Sequence, residues 1–316
     1  MRIVVMGTGG LGGYFGGLLA RSGAEVNFIA RGAHLQVLQN RGLSVRSVHG
    51  DFVIPVQACE TVEGLAAADL VLFCVKTYAV EEAVALLQPV VADHTVLLTL
   101  QNGVDTPSEL QEIFGRGIVL AGVTRTGSTL AEPGVIVQQT SDRVIEFGAL
   151  NRQGQSAVDG VRAVLEAADI PAVAADDIRK LLWEKLVLIS AFSGLGALTG
   201  LSTAQLLAHG PTRQLYRDTM QETAVVGQAA GVAIDPDIVT RTLTYLDAQD
   251  DPGESSMAVD FQRGRPIELE AINGAVVRHG QRLQIPAPVN NTIYASLTVM
   301  DQVNRRVSPN LSHPAS

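Results

Sequence analysis

Residues 1–31, MRIVVMGTGGLGGYFGGLLARSGAEVNFIAR, constrain the fold more than any other stretch of the chain. The apolar run Ile3 to Met6 reads as a strand, Gly7-Thr8-Gly9-Gly10-Leu11-Gly12 as a turn, Tyr14 to Ala20 as a helix and Glu25 to Ala30 as a second strand. In a G-x-G-x-x-G turn the first glycine, here Gly7, permits the tight bend, and the second, Gly9, lets a pyrophosphate approach the backbone. The third, Gly12, lets helix and strand pack closely. The phosphates then sit on the positive end of the helix. After the second strand the usual acidic partner of a ribose 2′-hydroxyl is missing, and Arg31 stands there instead. A guanidinium pairs with a 2′-phosphate through its planar fork of donors. The expected cofactor is therefore NADPH rather than NADH.

Composition narrows the setting. The 316 residues suffice for two domains, and 47% hydrophobic content can fill a substantial core. A formal charge of −9, with no basic run, disfavours nucleic acid as a partner. Cys59 and Cys74 make no disulfide framework and have no neighbours at metal-ligand spacing, so no metal is expected. Seven glycines within residues 7–17 break the apolar core that an export signal needs. Charges or glycines interrupt every apolar stretch before the roughly 18 residues of a membrane span. These features predict a cytoplasmic protein without a membrane partner, and leave the assembly open, a homodimer included.

Further strand-like runs follow at Phe52 to Gln57, Leu70 to Val75, Val96 to Leu100, Ile118 to Val123, Val135 to Gln138, Val144 to Phe147 and Ala172 to Ala174. Helical patterns at Val80 to Leu87 and Ser156 to Ala168 alternate with them, which predicts a mainly parallel sheet covered on both faces. Past Asp176 the character changes: 177–208, 212–231, 235–249 and 266–280 read as helices. The expected fold is α/β, with a nucleotide-binding domain over 1–175 and an all-helical domain over 176–316. Asp250 to Ser256 reads as a loop, and the tail from Ser308 to Ser316 as a frayed end.

Open parallel sheets bind ligands beyond the carboxyl ends of their strands. Lys76, after DLVLFCV, and Asn102, after TVLLTL, are expected to face the crevice of the glycine turn. Taken alone, each has a plainer reading, a helix-entry lysine and an Asn-Gly turn. Lys185 sits in IRKLLWEKLVLIS with Leu181 and Ile189 one turn to either side, an ammonium on an apolar helix stripe. It could snorkel to water; lining an interdomain cleft, it would donate a proton, as ketone reduction requires. Further on, Ser255 and Ser256 form a loop hydroxyl pair, and Glu268 shares a helical face with Ile272 while Glu270 turns away. Spacing does not choose between the two glutamates.

Together GTGGLGGYFGG, Arg31, VKT with Lys76, QNG with Asn102, WEKL with Lys185 and SSMAVDFQRGRPIELEAING resemble the ketopantoate reductases, from Met1 to about Met300. The resemblance implies a Rossmann-type N-terminal domain, a helical C-terminal domain, NADPH as hydride donor and a small 2-oxo acid as acceptor. It also implies cofactor contacts from Gly7, Thr8, Gly9, Gly10, Leu11, Gly12, Arg31, Lys76, Asn102, Ser128 and Glu268, the match at Ser128 being looser. Lys185 would be the proton donor, and Lys76, Asn102, Ser193 and Ser256 would meet the substrate. The chain also departs from the family: Ile189, Ser193 and about Thr203 stand where ketopantoate reductases typically place asparagines. An isoleucine makes no side-chain hydrogen bond, so a related 2-oxo acid or another carbonyl compound is an alternative substrate. Two rival readings are another two-domain dehydrogenase and a noncatalytic NADPH-binding protein.

Overall fold

The first apolar run forms strand β1 (Arg2–Met6), whose centre is buried on both faces, as a parallel strand inside a covered sheet must be. The computed structural model describes residues 1–250 and 253–307. Pro252 of the expected loop and the tail Ser308 to Ser316 therefore lie outside the described residues.

After β1 come helix α1 (Gly10–Arg21), β2 (Glu25–Ile29), α2 (Gly32–Arg41), β3 (Leu43–Ser47), β4 (Phe52–Ile54), β5 (Gln57–Cys59) and β6 (Leu70–Phe73). Next are α3 (Val80–Leu87), β7 (Val96–Thr99), α4 (Thr106–Phe114), β8 (Ile118–Val123), β9 (Ser128–Glu132), β10 (Val135–Gln138), β11 (Ile145–Ala149), α5 (Arg152–Ala167) and β12 (Ala172–Ala174). The main sheet has eight strands in the order β12-β11-β8-β7-β6-β1-β2-β5. Only the β8–β11 pair is antiparallel; β1 is in register with β2 (Ile3 beside Val26) and β6 (Ile3 beside Leu70).

A second, four-stranded sheet, β4-β3-β10-β9, lies over α1, and this explains a glycine pattern richer than the turn alone. On one side of α1 a Cβ on Gly16 would come 2.7 Å from the Phe28 ring and from Val5 of the main sheet. On the other side a Cβ on Gly13 would come 2.6 Å from Ile136, and one on Gly17 3.0 Å from Leu43, both in the small sheet. Paired glycines one helical turn apart thus let one helix fit between two sheets. The small sheet also corrects an expectation. Phe52 to Gln57 reads as one strand, but Pro55 lacks an N–H for a ladder, and the chain there passes from the small sheet to the edge of the large one.

The helical region comprises α6 (Ile178–Thr199), α7 (Thr203–Ala208), α8 (Gly210–Ala229), α9 (Ile238–Asp247), α10 (Ser256–Gln262), α11 (Asn273–Leu283) and α12 (Pro288–Val307). The stretch 177–208 is two helices rather than one: Gly200 takes φ +69°, and Ser202 restarts the chain with a capping box to Gln205. Residues 266–268 are irregular and 269–272 a turn rather than the start of a helix, so only the second half of 266–280 is helical. Helix α12 is held by burial of Ile293 and Leu297, one turn apart. At its start the Glu222 carboxylate accepts the N–H groups of Val289 and Asn290, each at 2.9 Å. Among the described residues, α6 is long and apolar enough to cross a membrane, yet 61% of its most apolar window is buried in the protein.

The chain separates into two compact units. Among the described residues, one holds 1–101 and 106–178; the other holds Asn102–Asp105 together with 179–307.

Candidate functional site

In the first unit the glycine turn has the three properties its spacing requires. Gly7 adopts φ +96°, which L side chains rarely adopt, and a Cβ there would lie 2.7 Å from the Val75 nitrogen. Gly9 faces open space. A Cβ on Gly12 would collide with the Gly7 carbonyl oxygen and approach Cys74 at 3.2 Å; burial pushes the Cys74 thiol well above its ordinary value, leaving it a small apolar neighbour. Gly10 is the first residue of α1 and is closed in by the Ser128 carbonyl. The Ser128 hydroxyl is buried with no hydrogen-bond partner. Leu11 is half-buried against the core of this unit. Helix α1 has no side-chain N-cap and no acidic residue in its first turn, so its leading N–H groups and its positive dipole end remain for an anion. Open room at the second glycine, an orphaned hydroxyl beside the turn and an uncapped helix start all fit a dinucleotide pyrophosphate.

The turn is braced from behind. Thr8 is buried, and its hydroxyl donates to the Ile29 carbonyl at 2.8 Å. Its own carbonyl lies 2.9 Å from Nε2 of His34, a 1% exposed residue of α2. The Gly134 N–H donates to Nδ1 of the same ring at 2.9 Å. Burial lowers the His34 pKa from its ordinary value of 6.5, against the opposing pull of the Thr8 carbonyl. The unfolded chain therefore binds the proton more readily, so this contribution to stability is complete above about pH 6.5 and fades as pH falls below it. Urea unfolding of wild type and His34→Gln at pH 5 and pH 7.5 should show the larger acid loss in the wild type.

Arg31 is the N-cap residue of α2, directly after β2, where a ribose 2′ substituent is expected. Its Nη2 lies 2.6 Å from Oε1 of Glu82 in α3, with both side chains over a third exposed. Lys76 is half-buried and caps a short 3₁₀ turn, Thr77–Ala79, next to Val75 and hence next to Gly7. At the end of β7 the Gln101 amide donates to the Val75 carbonyl at 2.7 Å, tying this strand end to that of β6.

In the second unit Asn102 and Glu268 come together. The Asn102 amide donates to the Glu268 carboxylate at 3.3 Å across 166 residues of sequence. Glu268 is 4% exposed and Glu270 faces solvent, although both stand in the segment before α11 rather than on a helix face. Around Asn102 a Cβ on Gly103 would lie 2.7 Å from the Ala271 carbonyl, and Asp105 accepts from Nε2 of His279 at 2.6 Å. Arg278 adds a bond to the same carboxylate at 3.3 Å. The segment that carries Asn102 is thus fastened to the turn before α11 and to α11 itself.

Lys185 is half-buried in the middle of α6, and Ile189 and Ser193 follow it at successive turns, 9% and 4% exposed. Leu186 and Val187 are fully buried and fix the helix, each contributing about 1.5 to 3 kcal/mol. Further along, Gly194 leaves room for the buried Asn273, whose amide donates to the carbonyl of Ser190 and to Asn290, both at 3.0 Å. Ser256 is exposed at the first residue of α10, while the Ser255 hydroxyl accepts the Ala258 N–H as the cap. Among the described residues no group of three or more His, Cys, Asp or Glu could hold a metal.

Sequence reasoning missed His34, Glu82, Asp105 and Asn273. All four act through partners distant in sequence, and only the apolar stretch around the buried Asn273, INGAVV, hints at burial.

The model of the family described as "Ketopantoate reductase PanE/ApbA" matches residues 3–152, and the model of its C-terminal part matches 177–301. A 2-dehydropantoate 2-reductase of Mesorhizobium japonicum is 29% identical, with 93% of this chain and 96% of that protein covered. The solved 2-dehydropantoate 2-reductase of Geobacter metallireducens GS-15 is 32% identical with a TM-score of 0.89, covering 95% of this chain and 99% of that one. A solved ketopantoate reductase family protein of Ralstonia eutropha JMP134 is 31% identical with a TM-score of 0.89, covering 96% and 100%.

Proposed function

The chain belongs to the ketopantoate reductase family of oxidoreductases acting on CH–OH groups, and from that premise we propose that it reduces a 2-oxo acid to the 2-hydroxy acid with NADPH. The observation that carries this reading is the coexistence of the open glycine turn with a half-buried lysine and the Asn102–Glu268 pair. In its cellular setting we take it to be a soluble cytoplasmic enzyme that acts on a small molecule.

NADPH, when bound, supplies the hydride that becomes the hydrogen on C2 of the product. Gly7 to Gly12 and the Ser128 hydroxyl would hold its pyrophosphate, and Arg31 its 2′-phosphate. As the carbonyl carbon accepts two electrons, its oxygen gains negative charge and needs a proton. The Lys185 ammonium gives that proton from Nζ, and its charge also stabilises the developing alkoxide. Asn102 is held by Glu268, which leaves its amide oxygen free to accept from a ligand while one N–H is engaged. Lys76 and Ser256 would meet the carboxylate and oxygen substituents of the substrate. The first substrate to test is 2-dehydropantoate. Ile189 favours a second reading, a 2-oxo acid with a more apolar substituent, since a buried isoleucine cannot pair with a substrate hydroxyl.

Steady-state NADPH oxidation against a panel of 2-oxo acids tests the proposal. Turnover with at least one of them is expected, and tight NADPH binding without any turnover would favour a noncatalytic binder. Glu82 supplies a separate check on the 2′-phosphate reading. Its carboxylate competes with that phosphate for Arg31, and an exposed pair of this kind is worth about 0.2 to 1 kcal/mol. Glu82→Gln should therefore tighten NADPH binding by roughly 1.5- to 5-fold while leaving NADH binding nearly unchanged.

A further inference from the structure

We propose that His34 is a positioning residue for the cofactor: it locks the Thr8–Gly9 peptide so that the Gly9 N–H is presented to the pyrophosphate. This inference rests on the NADPH reading above. The hydrogen-bond pattern fixes the chemistry of the ring. The Gly134 N–H can only donate, so Nδ1 accepts, Nε2 carries the hydrogen, and Nε2–H donates to the Thr8 carbonyl. The imidazole is neutral, 1% exposed and saturated at both nitrogens. In a trans peptide the C=O and N–H point in opposite directions. Holding the Thr8 oxygen against the buried ring therefore turns the Gly9 N–H away from the interior, at the one glycine of the turn that faces open space.

The bracing reaches beyond the ring. Gly134 lies in the turn between β9 and β10, and Ser128 at the start of β9 closes over Gly10. The hairpin of the small sheet thus touches the phosphate turn at two points, once directly and once through His34. The Thr8 hydroxyl supplies a third tie, to Ile29 at the end of β2. Without His34 the Thr8 carbonyl would lose its partner while buried, and the peptide could rotate to seek another. The donor would then have to be oriented anew each time a dinucleotide binds.

His34→Leu and His34→Gln separate this role from simple packing. Leucine fills much of the space without a donor, whereas the glutamine amide can place an N–H near the position of Nε2. Fluorescence titration of the purified full-length protein should give about tenfold weaker NADPH binding for His34→Leu and binding within about threefold of wild type for His34→Gln. NADH should weaken by the same factor as NADPH, because the pyrophosphate is common to both. Competition by 2′-AMP, which lacks a pyrophosphate, should be unchanged in both variants. At saturating NADPH, kcat should stay within about twofold. Unchanged NADPH affinity in a folded His34→Leu, or a glutamine variant as weak as the leucine one, would overturn the proposal. Equal weakening of 2′-AMP would also overturn it, by showing general damage to the unit. Failure of the wild type itself to bind NADPH would instead strike the functional reading on which the inference rests.

Discussion

Lys185→Ala is expected to lower kcat on the best 2-oxo acid by about 10² to 10⁴, the usual contribution of a positioned proton donor. The affinity for NADPH should hold, since none of the cofactor contacts assigned above involves this side chain. The fold should hold too: Lys185 is half-buried, its neighbours Leu186 and Val187 carry the packing of α6, and alanine favours a helix. Lys185→Arg refines the result. It keeps the positive charge but does not release a proton near neutral pH. Turnover should stay low while the KM for the 2-oxo acid stays close to wild type. Near-normal kcat for Lys185→Ala would remove this residue from the chemistry and leave the alkoxide to another donor.

Arg31→Ala should abolish the preference for NADPH over NADH. Loss of a charge-assisted hydrogen bond costs about 1.5 to 3 kcal/mol, so the ratio of kcat/KM for the two cofactors should fall by roughly 10- to 150-fold, almost entirely through NADPH. The Arg31–Glu82 pair makes the outcome asymmetric with Glu82→Gln. Removing the arginine leaves the Glu82 negative charge near the proposed 2′-phosphate position, and removing the carboxylate charge releases the arginine from this ion pair. A selectivity unchanged by Arg31→Ala would place the recognition of the ribose elsewhere.

The N-terminal unit was legible because its signals are local. The β1 run, the glycine turn and Arg31 lie within 31 consecutive residues, and the alternation of strands with helices continues to β12. The small sheet was harder to see. Strand β3, LSVRS, alternates over just two buried residues, Leu43 and Val45, too short a run to stand out, and β9, STLAE, buries none of its residues. Helix α12 begins PVNNTIYASLTV, rich in asparagine and β-branched residues that favour a helix weakly. Burial of Ile293 and Leu297 and the Glu222 carboxylate at its start override that preference. Helical spacing leaves Glu268 and Glu270 equivalent, and only the family resemblance singles out Glu268. Glu268 is buried as part of the segment that packs ahead of α11 and receives the Asn102 amide.

The site divides in the same way. Gly7, Gly9 and Gly12 have the environments their spacing predicts, because a strand–turn–helix unit sets them by itself. His34, Glu82 and Asp105 have no local signature: their partners stand 26, 51 and 174 residues away. The interval between Lys185 and Ile189 was plain from the sequence, and burial of Ile189 within the helical core gives it physical weight.

The most direct test of the central claim follows the hydride itself. NADPH carrying deuterium in the transferable position should be incubated with the enzyme and the best 2-oxo acid of the panel, and the product examined by mass spectrometry and NMR. One deuterium at C2 of the 2-hydroxy acid, formed in step with NADP⁺, is the predicted result. Bound NADPH that passes no deuterium to any 2-oxo acid would contradict the account.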